Sequence, residues 1–196
     1  MSVGRSGPLR VPRGDGRHEI VASGIRKRPV STLAAPVPVQ VRALGCEDDE
    51  QVDLTVHGGL DKAVYVYPSE HYEFWRTVCG QAGVDASLPF GSMGENLTIE
   101  GLLEPQAWVG DRIVVGEVEL RVEAPRSPCY KFNARLGFAW ASKMMVQSGY
   151  CGFYCAVVRQ GKVAAGDALR VVPGERAVSI DEMHRLNHRG RRGRAT

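Results

Sequence analysis

Apolar residues recur along most of this chain at alternate positions in short runs, the period of a strand with one buried face. Glu19–Ile25 is the first such run. Val37, Val39, Val41 and Ala43 share one face of the next, and Val52–Val56, Ala63–Tyr67 and Cys151–Val158 follow the same rule. Trp108–Val122 holds two runs around Gly116-Glu117, which predicts a hairpin. One segment departs from this period. Tyr72, Trp75, Val78 and Cys79 fall at helical spacing and predict a helix over 68–79, with Trp75 and Cys79 in the core. Pro68 and Glu70 suit its start. His71 on that helix reads as exposed or as a neighbour of a site. A second helix over Phe138–Ser148 stops at Gly149, and Ser179 with Glu182 forms a capping box that opens a third. Roughly eight to ten short strands with turn signals at barrel spacing predict mainly β structure with helices (α+β), a mostly antiparallel β-barrel decorated by short helices.

Composition changes this picture at the ends. The 196 residues suffice for one well-buried domain. The net charge of +3 comes from a Gly/Arg/Pro-rich arm over 1–17, at +3, and a tail over 189–196, at +4, leaving −4 on residues 18–188. The expected organisation is a disordered basic arm (1–17), one domain (18–175), a short C-terminal helix (176–188) and a basic tail (189–196). An acidic body gives no support to a specific nucleic-acid face. No secretory leader and no membrane span is visible. The five cysteines are odd in number and include no Cys-x-x-Cys pair, which reads as free thiols in a reducing, cytoplasmic compartment.

The candidate chemistry centres on Ala124-Pro-Arg-Ser-Pro-Cys-Tyr-Lys-Phe-Asn133. Pro125 and Pro128 stiffen the stretch, and Arg126, Lys131 and Asn133 surround Cys129, with Arg135 beyond. Cationic and amide donors favour a thiolate, which is both nucleophile and metal ligand. The competing reading is a small buried hydrophobe with a solvated charged rim. His57-Gly58-Gly59, with Lys62, can turn the backbone towards an anion, although Gly-Gly more often just joins strands. Glu95 and Asn96 either cap a turn or line a pocket. The acidic run Glu47–Glu50 lacks the spaced ligands of a calcium loop. Cys151 and Cys155 share a strand face, but two ligands do not make a metal site.

Several of these pieces occur together in one family. They are Val56-His-Gly-Gly-Leu-Asp-Lys62, Phe90-Gly-Ser-Met-Gly-Glu-Asn-Leu97, the Cys129 stretch, and Ser148-Gly-Tyr-Cys-Gly-Phe-Tyr154. Over about residues 19 to 173 the chain resembles the MOSC domain (molybdenum cofactor sulfurase C-terminal domain), and within it the stand-alone bacterial YiiM type. The resemblance implies a β-barrel-like fold that binds the pterin molybdenum cofactor, with Cys129 as molybdenum ligand or sulfur acceptor. It implies reduction of N-hydroxylated compounds, such as N-hydroxylated purines, to amines. The cofactor would be held by Gly58, Gly59, Lys62, Glu95, Asn96, Arg126, Lys131, Asn133 and Arg135, its phosphate by the cations and the His57-Gly58-Gly59 backbone, and His57 would carry protons. The chain has neither Fe–S cysteine spacing nor a dinucleotide fingerprint, so electrons would come from a separate reductase. A homodimer is compatible with this type. YiiM-type chains continue into three C-terminal helices, of which only Ser179–Asn187 has a counterpart here. A sulfur carrier working through a Cys129 persulfide, and a non-catalytic binding domain, remain as alternatives.

Overall fold

The computed structural model describes residues 1–13, 15–50 and 58–189. The expected strand Val52–Val56 and the candidate His57 lie outside the described residues. The strands are β1 (Ser2–Val3), β2 (Gly7–Pro12), β3 (His18–Ser23), β4 (Arg28–Pro29), β5 (Val39–Arg42), β6 (Gly45–Cys46) and β7 (Val64–Pro68). Helix α1 (Tyr72–Gln81) follows, then β8 (Leu97–Ile99), β9 (Arg112–Val115) and β10 (Val118–Pro125). Helices α2 (Tyr130–Leu136) and α3 (Ala141–Ser148) precede β11 (Phe153–Arg159), β12 (Gly161–Val163), β13 (Leu169–Val172) and α4 (Ile180–Arg189).

Six strands form the main sheet in the order β13-β9-β10-β11-β7-β8, curled like half a barrel. Every neighbouring pair in it is antiparallel except β7 with β8. The hairpin expected at Gly116-Glu117 is present, with Val115 facing Val118. Gly116 takes φ +56, and a Cβ there would lie 2.5 Å from Asp167 Oδ2, so the turn requires glycine. Val118, Leu120 and Val122 are fully buried on one face of β10. Register shifts in its pairing with β11 bend the strand just before Pro125. A second sheet, β12-β5-β6, flanks the first.

Helix α1 buries the four residues that its spacing marks out, Tyr72, Trp75, Val78 and Cys79. Trp75 donates from Nε1 to Tyr67 Oη at 2.6 Å and meets Phe132 edge-on at 5.4 Å, tying α1 to β7 and α2. His71, at the start of this helix, is buried rather than exposed. Its Nε2 lies 2.8 Å from Glu104 Oε2, and its ring stacks on Tyr150. The capping box forms reciprocally, with Ser179 N–H donating to Glu182 Oε2 at 2.9 Å and Glu182 N–H to Ser179 Oγ at 3.2 Å.

The N-terminal segment is a correction to the sequence reading. Residues 1–12 are not a disordered arm: β1 pairs with β4, and β2 pairs with β3 along its whole length. Val3, Leu9 and Val11 are buried, and β2 lies against α2. Gly, Arg and Pro are frequent here, but Leu9 and Val11 are buried in a strand that lies beside a helix more than a hundred residues away, which local composition does not report.

Trp75 supplies the test of this packing. Trp75→Ala is expected to destabilise the chain by about 3–5 kcal/mol, through lost burial and the lost indole hydrogen bond to Tyr67. Chemical denaturation followed by circular dichroism measures it, and an unchanged midpoint would contradict the assignment.

Candidate active site

Strand β10 ends at Pro125, opposite Phe153 of β11, and Arg126 N–H still reaches Gly152 O at 3.3 Å. The two prolines then hold the chain out of both sheet and helix until α2 begins. Cys129 takes the N-cap position in extended conformation, and its side chain makes no capping hydrogen bond. Its carbonyl accepts from Phe132 N–H at 2.9 Å and from Ser142 Oγ at 2.7 Å. The backbone is therefore fixed, while the sulfur faces a cleft.

That cleft is lined on one side by Ser23, Gly24, Ile25 and Lys27, and on the other by Lys62, Tyr65, Arg126, Cys129, Lys131 and Tyr154, with Asp49, Glu50, Gly94 and Asn96 completing it. Its open space, including solvent at the mouth, is about 690 Å³. Four cationic side chains face two carboxylates, and one of these, Asp49, is held by Lys27 at 2.7 Å. Arg126 is the central cation. It is 6% exposed, lies 5.0 Å from the Tyr65 ring centroid and 4.8 Å from that of Phe132, and donates to Met93 O at 2.8 Å. Among the described residues no carboxylate pairs with it. A buried charge held only by rings and neutral oxygens is poorly compensated, and it favours an anion in the adjoining space. Burial pushes the Tyr65 and Tyr154 hydroxyls up, with Arg126 opposing, so both remain protonated donors.

Of the residues expected from sequence, Lys62, Asn96, Arg126, Cys129 and Lys131 come together here. Lys131 also donates to Ala22 O at 3.2 Å, linking α2 to β3. Asn96 ties the cleft wall together, accepting from Tyr65 N–H at 3.0 Å and donating to Asp49 Oδ2 at 2.8 Å. Gly58 and Gly59 lead into the 3-10 turn Leu60–Lys62, with Gly59 at φ 94. Neither glycine lines the cleft, nor do three other expected residues. Glu95 is fully buried and accepts from Tyr72 Oη, Gly91 N–H (2.7 Å), Met93 N–H (3.1 Å) and Thr98 Oγ1 (2.9 Å), so it clamps the loop from beneath. Asn133 accepts from Ser142 N–H at 2.7 Å and joins α2 to α3. Arg135 donates to Ser92 Oγ at 3.3 Å, away from the cleft lining.

Lys27, Asp49, Tyr65 and Tyr154 were missed by the sequence reading. Tyr65 and Tyr154 are register partners on neighbouring strands, with ring centroids 5.2 Å apart, so a correct β7–β11 pairing would have found them.

The thiols separate clearly. Cys46, Cys79, Cys151 and Cys155 are buried, whereas Cys129 is half-buried on the cleft. Burial pushes the Cys46 thiol up to about 12 and raises those of Cys79, Cys151 and Cys155. A protonated thiol in an apolar core neither attacks nor ligates.

Comparison with known proteins bears on the arrangement. Residues 53–170 match the family described as MOSC domain. The chain belongs to the MOSC domain family. This MOSC protein is of the YiiM type. It is 39% identical over 140 residues to YiiM of Escherichia coli (strain K12), covering 71% of this chain and 61% of that one, less than two thirds of the relative's length. The crystal structure of YiiM from Geobacillus stearothermophilus superposes with a TM-score of 0.73 at 30% identity, over 97% of this chain and 83% of the other. A protein of Gibberella moniliformis (strain M3125 / FGSC 7600) named reductase is 31% identical over 137 residues, 69% of this chain and 24% of its own length.

The thiol arrangement is directly checkable. A water-soluble disulfide reagent on the native protein is expected to label Cys129 rapidly and the other four cysteines only after denaturation. In Cys129→Ser the fast phase should vanish. A second fast thiol would contradict the burial described here.

Proposed function

We propose that this MOSC protein binds the pterin molybdenum cofactor in the Cys129 cleft and reduces N-hydroxylated compounds, such as N-hydroxylated purine bases, to amines. The observation that carries the reading is the half-buried Cys129 thiol on the same cleft as Arg126, a buried cation that no carboxylate pairs with among the described residues. A sulfur donor suits a sulfur-rich molybdenum centre, and an uncompensated cation suits the cofactor's phosphate. The residues therefore fit the group. Cys129 would be its thiolate ligand, and Arg126, Lys131 and Lys62 would hold its anionic part.

When bound, the cofactor supplies the two-electron chemistry that breaks an N–O bond. The overall change is balanced: R–NH–OH, two electrons and two protons give R–NH₂ and water. The chain's own residues do the remaining work. Tyr154 is a protonated hydroxyl on the cleft wall that can donate to a polar substrate, whereas Tyr65 donates its proton to Cys151 O at 2.7 Å and serves to hold the wall. Glu95 is outside the lining and keeps the Phe90–Leu97 loop in place. Lys27, Asp49 and Asn96 fix the opposite wall. His57 is the proposed proton carrier. The two electrons come from a separate reductase, and the relative named reductase supports the reaction class.

The test is molybdenum content together with turnover of an N-hydroxylated purine, using a chemical electron donor so that no protein partner is needed. Cys129→Ala is expected to lose both. Arg126→Met should weaken cofactor retention by roughly 10–100-fold, the usual effect of removing a supporting contact to a metal centre. Cys155→Ala should leave both nearly intact. Full molybdenum and full turnover in Cys129→Ala would sink the proposal. A persulfide on Cys129 without turnover would favour the sulfur-carrier reading instead.

A further inference from the structure

We propose, resting on the reading of the Cys129 cleft as the site of N-hydroxylamine reduction, that the Tyr154 hydroxyl donates a hydrogen bond to the oxygen of the N-hydroxylated substrate and thereby tells the substrate from the amine it becomes.

Three hydroxyls belong to the cleft lining, those of Ser23, Tyr65 and Tyr154. Tyr65 is spent on Cys151 O at 2.7 Å. Ser23 closes β3 on the opposite wall, where its Oγ accepts from Ile25 N–H at 3.3 Å. Tyr154 is the hydroxyl beside the thiol. Burial above all pushes it up, the Arg126 guanidinium opposes that rise and Cys129 adds to it, as neighbours do. Among the described residues nothing accepts from the Tyr154 hydroxyl, yet its oxygen keeps contact with open space.

The ring that carries this hydroxyl is fixed. Tyr154 lies on β11 between Ala124 of β10 and Tyr65 of β7, and its ring tilts against that of Tyr65 with centroids 5.2 Å apart. It is 9% exposed, so the ring is packed and only its tip reaches the cleft. A donor already aimed by its strand loses little freedom when a ligand arrives.

The chemistry of the lining decides what it meets. Lys27 is held by Asp49 and Lys131 donates to Ala22 O, while the Arg126 charge suits an anion. A neutral hydroxylamine oxygen is matched by a neutral donor. A hydroxyl pushed up by burial stays protonated and is a poor acid, so Tyr154 orients the oxygen and the protons consumed come from elsewhere. Reduction removes that oxygen as water. The amine left on a purine is a donor, and Tyr154 then faces no acceptor. One neutral hydrogen bond of this kind is worth roughly two- to tenfold in affinity.

Equilibrium dialysis of the molybdenum-loaded protein without an electron donor, where no turnover occurs, tests this with N-hydroxyadenine and adenine. The wild-type protein is expected to hold N-hydroxyadenine roughly two- to tenfold more tightly than adenine. Tyr154→Phe removes an oxygen that has no internal acceptor. It should keep the molybdenum content, the unfolding midpoint and the adenine affinity, and bring the two affinities together. Equal affinities in the wild-type protein, a preference that survives in Tyr154→Phe, a parallel loss for both compounds, or loss of molybdenum from the variant would each overturn the role of Tyr154. Wild-type protein that is loaded but binds neither compound would instead overturn the reading of the cleft itself.

Discussion

A buried guanidinium that no carboxylate pairs with among the described residues is the constraint around which this molecule is arranged. Arg126 leaves the end of β10 and passes between the rings of Tyr65 on β7 and Phe132 on α2, reaching the Met93 carbonyl in the Phe90–Leu97 loop. Three elements that are distant in sequence are thereby held against one charge. Each contact is modest, about 0.5–2 kcal/mol for a cation over an aromatic face, but leaving the charge bare would be far more costly. The sheet brings Tyr65 beside Tyr154, α2 carries both Phe132 and Cys129, and Glu95 keeps the Met93 loop from moving away. Gly152 completes the frame: it sits at φ +61, and a Cβ there would approach Val66 O to 2.4 Å, so β7, β11 and the Arg126 backbone can come together only around a glycine.

Much of this fold was legible in the sequence wherever the signal was local. The α1 stripe, the Gly116-Glu117 hairpin, the Gly149 stop and the Ser179–Glu182 box each depend on residues within one or two turns of each other. The N-terminal ribbon was not legible, because its strands are stabilised by one another and by α2. His71 was misjudged for a related reason. Its partner Glu104 is thirty-three residues away, and the same carboxylate also accepts Gly152 N–H at 2.7 Å, so the pair is an internal tie between α1 and the start of β11.

The site was legible in part. Cys129, Arg126 and Lys131 lie within six residues and share the stiff segment between β10 and α2, so a local reading reached them. Glu95, Asn133 and Arg135 sit in the same motifs but turn inward, towards Tyr72, Ser142 and Ser92. Polar residues within a motif thus divide into those that face the cleft and those that hold the motif's shape, and the sequence does not distinguish the two. The opposite wall, Ser23 to Lys27 with Asp49, comes from a part of the chain whose tertiary placement had no local signature.

The N-terminal ribbon has a consequence for how the cleft is made during synthesis. β2 leaves the ribosome early, yet the helix it lies against spans residues 130–136. At typical elongation rates the interval between them is on the order of ten seconds. The β2–β3 hairpin forms within microseconds, but with Leu9 and Val11 uncovered it is marginal alone and cannot dock until α2 arrives. One wall of the cleft therefore waits for the other, and the apolar face of the ribbon is the surface most in need of protection in the meantime.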